Sequence, residues 1–443
     1  MGQETWKDYV KKKAGGPKPL KGIRVLEVCT LVFGPSGPSW LAEMGAESIK
    51  CEIPPLGDVE RALSCAGFLF KEQSPLFMHD NVNKLYFGVD LHLPAAQELF
   101  LELARKADII EDNLRPGVME RWNVGYRQVK NINPSIIYVE KNGFGQWGQY
   151  AEEGRPSNDG AAQAFSGFSW MSSFPDRPPV KQMIYACDMY GALLTEVAVL
   201  SALHYRERTG RGQYIEASQT ETIIRTMSWI WPYQYLTGQG AHPAGNRDAS
   251  ICPADSFRTS DGALIALAAA IPEEFKGLCT AMGKPEMATD PRFKDHGVRL
   301  KEENATALLK IIAAWAKTKT LKEIESLAEK HHFAASHVMN AKDICENTHL
   351  KERGFMTQVD DALYGKYLDH EFPVMMSKTP PKKKWTARPV GFDNEYILKS
   401  ILGKTEGDVK KLYECKAVGK WADRAGRRPP PGWDGKAGIN TLM

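Results

Sequence analysis

Apolar residues in the first half of the chain fall into short β-branched runs separated by stretches of helical period. Residues 22–28, 47–53, 85–91, 107–111, 135–140 and 214–217 each have the composition of a strand. Between them, residues 39–44 and 94–106 carry helical patterns, the second opening on a proline. Strands alternating with helices predict a parallel sheet with covering helices: an α/β, Rossmann-like large domain.

The longest helical pattern follows an apolar run at 183–187, which delivers Asp188 to its start. Leu193, Leu194, Val197, Leu200 and Leu203 then recur at helical spacing. Arg206 and Arg208 fall in the last turn, and Gly210 and Gly212 stop the helix. Asp188 therefore stands where an N-cap is expected. A cap would accept hydrogen bonds from first-turn N–H groups. The same position also suits a nucleophile, because a helix N-terminus keeps a partly desolvated carboxylate ionised. The pattern alone leaves both roles open.

Residues 219–236 read as one helix rich in Trp and Tyr, with a kink expected at Pro232. Trp229, Trp231 and Tyr233 are expected to pack against a core or a partner. Residues 241–248 look like a linker, and 249–340 like a smaller α+β unit with strands at 255–259 and 263–268. The expected division is 1–225 for the large domain, 226–340 for the small one, and 341–443 for a return to the large domain and a C-terminal arm. The basic stretch 1–19 and the Pro-rich stretch 427–432 read as arms that need a partner to order them.

Composition narrows the function. The 443 residues are 43% hydrophobic and 25% charged, ordinary for a globular enzyme with a sizeable core. A net charge of +3 gives no reason to expect nucleic acid. Eight scattered cysteines without a C-x-x-C pair predict reduced thiols. The N-terminus lacks the apolar centre of a signal peptide, and no uninterrupted apolar run reaches membrane-spanning length. These features predict a cytoplasmic protein without membrane contact. His331, His332 and His337 lack a Cys or carboxylate at ligand spacing, so no metal is expected. No G-x-S-x-G elbow occurs.

Ligands of parallel sheets sit beyond the carboxyl ends of the strands. Those ends are 29–33, 53–57, His92, 112–115 and 141–145. A dinucleotide fingerprint would need G-x-G-x-x-G after the first strand, where the chain reads Phe33-Gly-Pro-Ser-Gly-Pro38. The glycine spacing is wrong and two prolines remove backbone donors, which argues against nicotinamide binding.

Five stretches together resemble the class III CoA-transferases, the family of formyl-CoA:oxalate and carnitine CoA-transferases. They are LKGIRVLEV at 20–28 with Gly34-Pro35, LAEMGAESIK at 41–50 and Gly57-Asp58; Asn81-Val-Asn-Lys84 with Val89-Asp90-Leu91; ADIIEDNLRPG at 107–117; Asn142-Gly-Phe-Gly145; and Asp188 with Thr209-Gly-Arg-Gly-Gln213 one long helix later. The resemblance covers residues 20–220 well and the rest loosely. It implies that Asp188 is the nucleophile. It also implies that CoA is contacted by Leu31 and Val32, Val89 and His92, Asn113 and Leu114, and Arg121. The family's nucleotide-contacting lysine falls on Ser157, with Arg155 nearby as a substitute. An interlocked dimer is implied, either of this chain with itself or with a related subunit, and no metal or redox cofactor.

The chain departs from formyl-CoA transferase in several places. Val32 stands where that enzyme has a glutamine beside the acyl group, Ile53 where it has an arginine, and its tetraglycine loop has no counterpart. With Trp170-Met171, Val32 points to a larger, less polar acyl group. The nearest likeness is to CoA-transferases of anaerobic aromatic breakdown, which make benzylsuccinyl-CoA from succinyl-CoA. The 2-methylacyl-CoA racemases share the fold but use a histidine where Asn158 stands, and an amide cannot take a proton from carbon. Racemase is therefore the alternative activity, and a non-catalytic CoA-binding subunit the alternative outside enzymology.

Overall fold

The computed structural model describes residues 18–71, 73–421 and 439–441. The chain divides into two compact units. One takes the chain as far as Phe168, Gln182–Ser228 and the chain from His349 onward; the other takes Ser169–Lys181 and Trp229–Thr348. The arms expected at 1–19 and 427–432 lie outside the described residues, apart from Lys18 and Pro19.

The first unit is built on six strands: β1 (Arg24–Val28), β2 (Glu47–Glu52), β3 (Leu85–Gly88), β4 (Ile109–Asp112), β5 (Ile137–Asn142) and β6 (Gln213–Ser218). Their spatial order is β3-β2-β1-β4-β5-β6, and every neighbouring pair is parallel. This is the doubly wound order, with its switch point between β1 and β4. The helices that matter for the site are α1 (Ser36–Glu43), α2 (Pro94–Ala104), α3 (Asp159–Phe165), α4 (Ala186–Thr209) and α5 (Gln219–Thr226).

Side chains of a strand alternate between faces, so neighbours in sequence enter different cores. Leu26, Ile49, Phe87, Ile110 and Tyr138 pack with Leu99, Phe100 and Leu103 of α2. Val25, Ile109, Ile137 and Val139 pack with Leu41 of α1 and with Val199, Ala202 and Leu203 of α4 on the other face. Both faces are buried, as a parallel sheet requires.

Most of the apolar residues that set the helical period of α4 lie on its outer face, Leu203 excepted. Leu193, Leu194, Val197 and Leu200 face outward, between 37% and 56% exposed. The inward face carries Gly191, Ala192, Thr195, Glu196, Val199 and Ala202. Small residues let the helix approach its neighbours closely: a Cβ at Gly191 would lie 2.6 Å from the Phe33 ring. By length and composition α4 could also cross a membrane, which the sequence reading did not expect, but 56% of its most apolar window is buried.

The stretch 219–236 is two helices, α5 and Ile230–Thr237, rather than one kinked at Pro232. The break falls at Ser228, in the left-handed region with φ of 34°, where the chain passes into the second unit. Pro232 sits in the first turn of the later helix, where a missing N–H costs little. In the lysine run at 382–384, the Lys383 side chain is nearly buried and pairs with Asp369 at 2.5 Å.

The second unit has a three-stranded antiparallel sheet, Ala334–His337, Leu264–Ala268 and Ala254–Arg258 in spatial order. Ile265, Leu267 and Phe257 pack against Phe275, Leu308 and Ile324 from the helices Pro272–Ala281, Glu302–Ala316 and Leu321–His331. The stretch 241–248, expected as a linker, belongs to this unit, where Arg247 bonds Glu302 at 2.8 Å. No group of three or more His, Cys, Asp or Glu suited to a metal occurs among the described residues.

Candidate active site

Helix α4 begins at Ala186, flanked by Tyr185, which offers no side-chain cap. Asp188 is therefore the third helical residue, not the N-cap expected from sequence. The capping bond comes from another segment: Asp159 Oδ1 accepts from the Cys187 N–H at 2.9 Å. Asp188 is 7% exposed and lies in the first turn, where the helix dipole favours a carboxylate. Burial, then the charges of Asp159 and Asp188, push the Cys187 thiol up to about 12. That thiol stays protonated near neutral pH and is no rival nucleophile.

Two further residues form a hydrogen-bonded chain to Asp188. The side-chain amide of Gln219 donates to Asp188 Oδ1. Ser157 Oγ donates to Gln219 Oε1 at 2.9 Å. The loop after β5 approaches Ser157 so closely that a Cβ at Gly143 would lie 2.1 Å from the serine Cβ. The Gly143 carbonyl accepts from the Thr220 N–H at 3.2 Å, Thr220 Oγ1 at 3.1 Å and Ser218 Oγ at 3.3 Å. The N-G-F-G loop is thus tied to the β6–α5 junction that carries Gln219. Asn158 caps α3, its Oδ1 accepting from the Ala161 N–H at 3.0 Å.

The loop after β1 passes against α4 at Phe33 and Gly191, one turn beyond Asp188. Three fully buried lysines hold this loop by its carbonyls. Lys50 Nζ donates to Cys29 O at 2.9 Å, Lys141 Nζ to Gly34 O at 3.1 Å and Lys84 Nζ to Pro35 O at 2.8 Å. Each is paired, with Asp58 at 2.9 Å, Glu111 at 2.5 Å and Glu27 at 2.8 Å respectively. Burial alone would lower the Lys50 and Lys141 ammonium groups, but the adjacent carboxylates hold both above their ordinary values. Asp58 Oδ1 also accepts from the Leu31 N–H at 3.0 Å, fixing a residue with φ of 62°. Asn113 clamps the loop across the switch point, accepting from the Thr30 N–H at 2.8 Å and donating to Thr30 O at 2.7 Å. This charged bracing, Gln219 and Asp159 were all missed in the sequence.

The residues expected to contact CoA divide into two groups. Leu31 is half-exposed on the β1 loop and Val32 is buried beneath it. Val89 and Leu114 line a cleft of about 70 Å³ at the strand ends, with Val28, Ile53 and Trp122. The exposed His92 ring meets Trp122 edge-on at 4.8 Å, and its Nδ1 lies 2.7 Å from Asp90 Oδ1. Asn113 acts on the loop itself, and Arg121 is exposed in the short helix that ends beside Trp122. Arg155 stands apart: its guanidinium pairs with Glu153 at 2.7 Å and lies 3.9 Å from the Tyr150 ring centroid, so its contacts are local.

Comparisons with known proteins show the family. A family model described as CoA-transferase family III matches residues 20–394. The chain belongs to CoA-transferase family III. It is 32% identical to the succinyl-CoA–D-citramalate CoA-transferase of Chloroflexus aurantiacus over 91% of its own length and 98% of that protein. It is 34% identical to the acetyl-CoA:oxalate CoA-transferase of Acetobacter aceti over 65% of this chain and 72% of that one. Among solved structures, a CAIB/BAIF family protein from Brucella suis superposes with a TM-score of 0.76 at 26% identity, covering 87% of this chain and 99% of the other. As a class III CoA-transferase the protein is an enzyme that takes CoA thioesters as substrates, and the named relatives use succinyl-CoA or acetyl-CoA with various acids.

Proposed function

We propose that the protein transfers CoA from succinyl-CoA to a second carboxylic acid, with Asp188 as the nucleophile. The observation that carries this is the buried Asp188 carboxylate, bonded by an amide donor and set in the first turn of α4, the helix that meets the loop after β1 at Gly191. The carboxylate attacks the donor thioester carbonyl, the C–S bond breaks, and CoA thiolate leaves with the electron pair. A mixed anhydride results. Thiolate attacks its aspartyl carbonyl and releases succinate, leaving an aspartyl-CoA thioester. The acceptor carboxylate attacks that thioester, and a last thiolate attack yields the new acyl-CoA and restores Asp188. Splitting one difficult exchange into several acyl transfers is the gain of covalent catalysis. Each intermediate is hydrolysable, and burial of Asp188 keeps water away.

CoA binds along the strand ends of the first unit, against Leu31, Val32, Val89, His92, Leu114 and Arg121, with Asn113 fixing the loop. Arg155 reaches the nucleotide only by leaving Glu153. The relatives support succinyl-CoA as donor, since three of the most similar are named for succinyl-CoA with D-citramalate, mesaconate or L-malate. Benzylsuccinate keeps the succinate frame and adds an aromatic group, which suits the apolar Val32, and we take it as the acceptor. The racemase alternative needs a base at Asn158, whose side chain instead caps α3. The eight cysteines are free thiols, in keeping with a reducing cytoplasm. The working form is a dimer or a heteromer with a related subunit; relatives named as alpha and beta subunits of one transferase support the second form.

The test is exchange itself. The protein is incubated with succinyl-CoA or acetyl-CoA and a panel of acids including benzylsuccinate, mesaconate, malate and oxalate, and each new acyl-CoA is followed by mass spectrometry. Benzylsuccinyl-CoA formed fastest supports the full reading. A faster small dicarboxylate removes the aromatic acceptor, and deuterium wash-in at the α-carbon of 2-methylacyl-CoA at racemase-like rates removes CoA transfer altogether.

A further inference from the structure

We propose that Gln219 is a catalytic residue of the acyl transfers, aiming the Asp188 carboxylate and then holding its carbonyl oxygen as charge develops there. The inference rests on Asp188 being the nucleophile. Three observations lead to it.

The first is orientation. The two ends of a glutamine amide are alike in shape and opposite in hydrogen-bonding sense. An ionised carboxylate only accepts, so Asp188 Oδ1 selects the NH2 end, and the Ser157 hydroxyl donates to the Oε1 end at 2.9 Å. Ser157 is thus a positioning residue that ties the far end of the amide.

The second is rigidity. Gln219 is 4% exposed and is the first residue of α5, directly after β6. Ser218 caps that helix by accepting from the Glu221 N–H at 3.4 Å, and Thr220 and Ser218 bind the Gly143 carbonyl. The donor therefore comes from a strand–helix junction tied to the neighbouring loop, with little freedom to reorganise.

The third is where charge goes. In the carboxylate, negative charge is shared by two oxygens. When thiolate attacks the aspartyl carbonyl of the anhydride, the C=O pair moves onto the single oxygen that does not carry the acyl group. The C–O bond to the acyl group then breaks, and the acid leaves as its carboxylate. With the acyl group on Oδ2, the oxygen that gains full charge is Oδ1, the atom Gln219 faces. A fixed neutral donor binds a localised oxyanion more strongly than a delocalised carboxylate, and that difference lowers the barrier. No proton needs to move.

The experiment compares Gln219→Leu, Gln219→Glu, Ser157→Ala and Asp188→Asn as full-length proteins, checked for fold and native mass. Loss of one oxyanion donor lowers turnover roughly 100-fold. We expect Gln219→Leu to lose about that factor in kcat with KM for acyl-CoA changed little, and single-turnover trapping of the aspartyl thioester by hydroxylamine to slow equally. Ser157→Ala should lose about tenfold, because the amide is kept but not held. Gln219→Glu should work only where its new carboxyl is protonated, so its activity falls as pH rises. A Gln219→Leu enzyme within threefold of wild type in kcat, or changed only in KM, overturns the inference, provided Asp188→Asn is inactive. An active Asp188→Asn overturns the nucleophile reading instead. Should Gln219→Leu fail to fold, the Gln219→Glu profile decides: a fall with rising pH supports the donor role and a flat profile ends it.

Discussion

Asp159 and Asp188 share one helix N-terminus and divide its work. Asp159 caps α4 through the Cys187 N–H, while Asp188 sits one residue further in with its carboxylate against the Gln219 amide. The two should separate cleanly on mutation. Asp159→Ala removes a capping bond that is typically worth about 0.5–2 kcal/mol, so the melting temperature should fall. Asp188→Asn keeps nearly the same shape and stability but has no attacking carboxylate. It should fold, bind acyl-CoA and turn over at the background rate. Wild-type protein held with donor acyl-CoA and treated with hydroxylamine should carry its label on Asp188. A label on another residue, or full turnover by the Asn variant, would end the assignment. The sequence could not separate these two aspartates. A cap is recognised by position next to an apolar run, and Asp188 has that position, while the capping side chain arrives from a distant turn.

At the scale of elements, the β1 loop is held between buried lysines below and α4 above. Gly191 is where the two meet. A methyl group there would sit 2.6 Å from the Phe33 ring, which is itself 5% exposed and has no room to swing away. Gly191→Ala gains up to about 1 kcal/mol of helix propensity, while overpacking costs about 1–3 kcal/mol. The clash should win, so stability falls and KM for acyl-CoA rises as Leu31 and Val32 shift. Gly407→Ala is the control: its nearest neighbour lies at 3.8 Å, and thermal melting should show it unchanged or stabilised. A more stable Gly191→Ala with unaltered KM would mean that the loop does not depend on this contact. The six strands were legible within a few residues because both faces are apolar, and the strand ends located the cleft. The inward face of α4 was not legible, since close approach selects Gly, Ala and Thr, which leave no hydrophobic period. Nor was the bracing of the loop: Glu27, Lys50, Glu111 and Lys141 are charges inside strands, and a charge in a strand ordinarily reads as a solvent-facing position, whereas all four are fully buried here.

For the whole molecule, the outward face of α4 sets the last expectation. Tyr190, Leu193, Leu194, Val197, Leu200 and Tyr205 form a stripe along one side of a 24-residue helix, all at least 37% exposed. Scattered apolar residues on a surface need no explanation, but a contiguous stripe on a helix does. Trp229, Trp231 and Tyr233 of the second unit are exposed as well, and the sequence had assigned them to a core or a partner. A second polypeptide covering the α4 stripe accounts for a helix most of whose larger apolar residues point away from its own core. Light scattering should therefore give a dimer or larger assembly that dilution does not readily dissociate. Leu193→Glu with Val197→Glu places charge in the middle of the stripe and should weaken that assembly, with loss of activity following loss of mass. A chain that purifies as a dimer and exchanges CoA alone is a homodimer. A chain that needs a related subunit for activity is one half of a heteromer. A stable monomer with full activity at assay concentration would show that the stripe serves some other purpose.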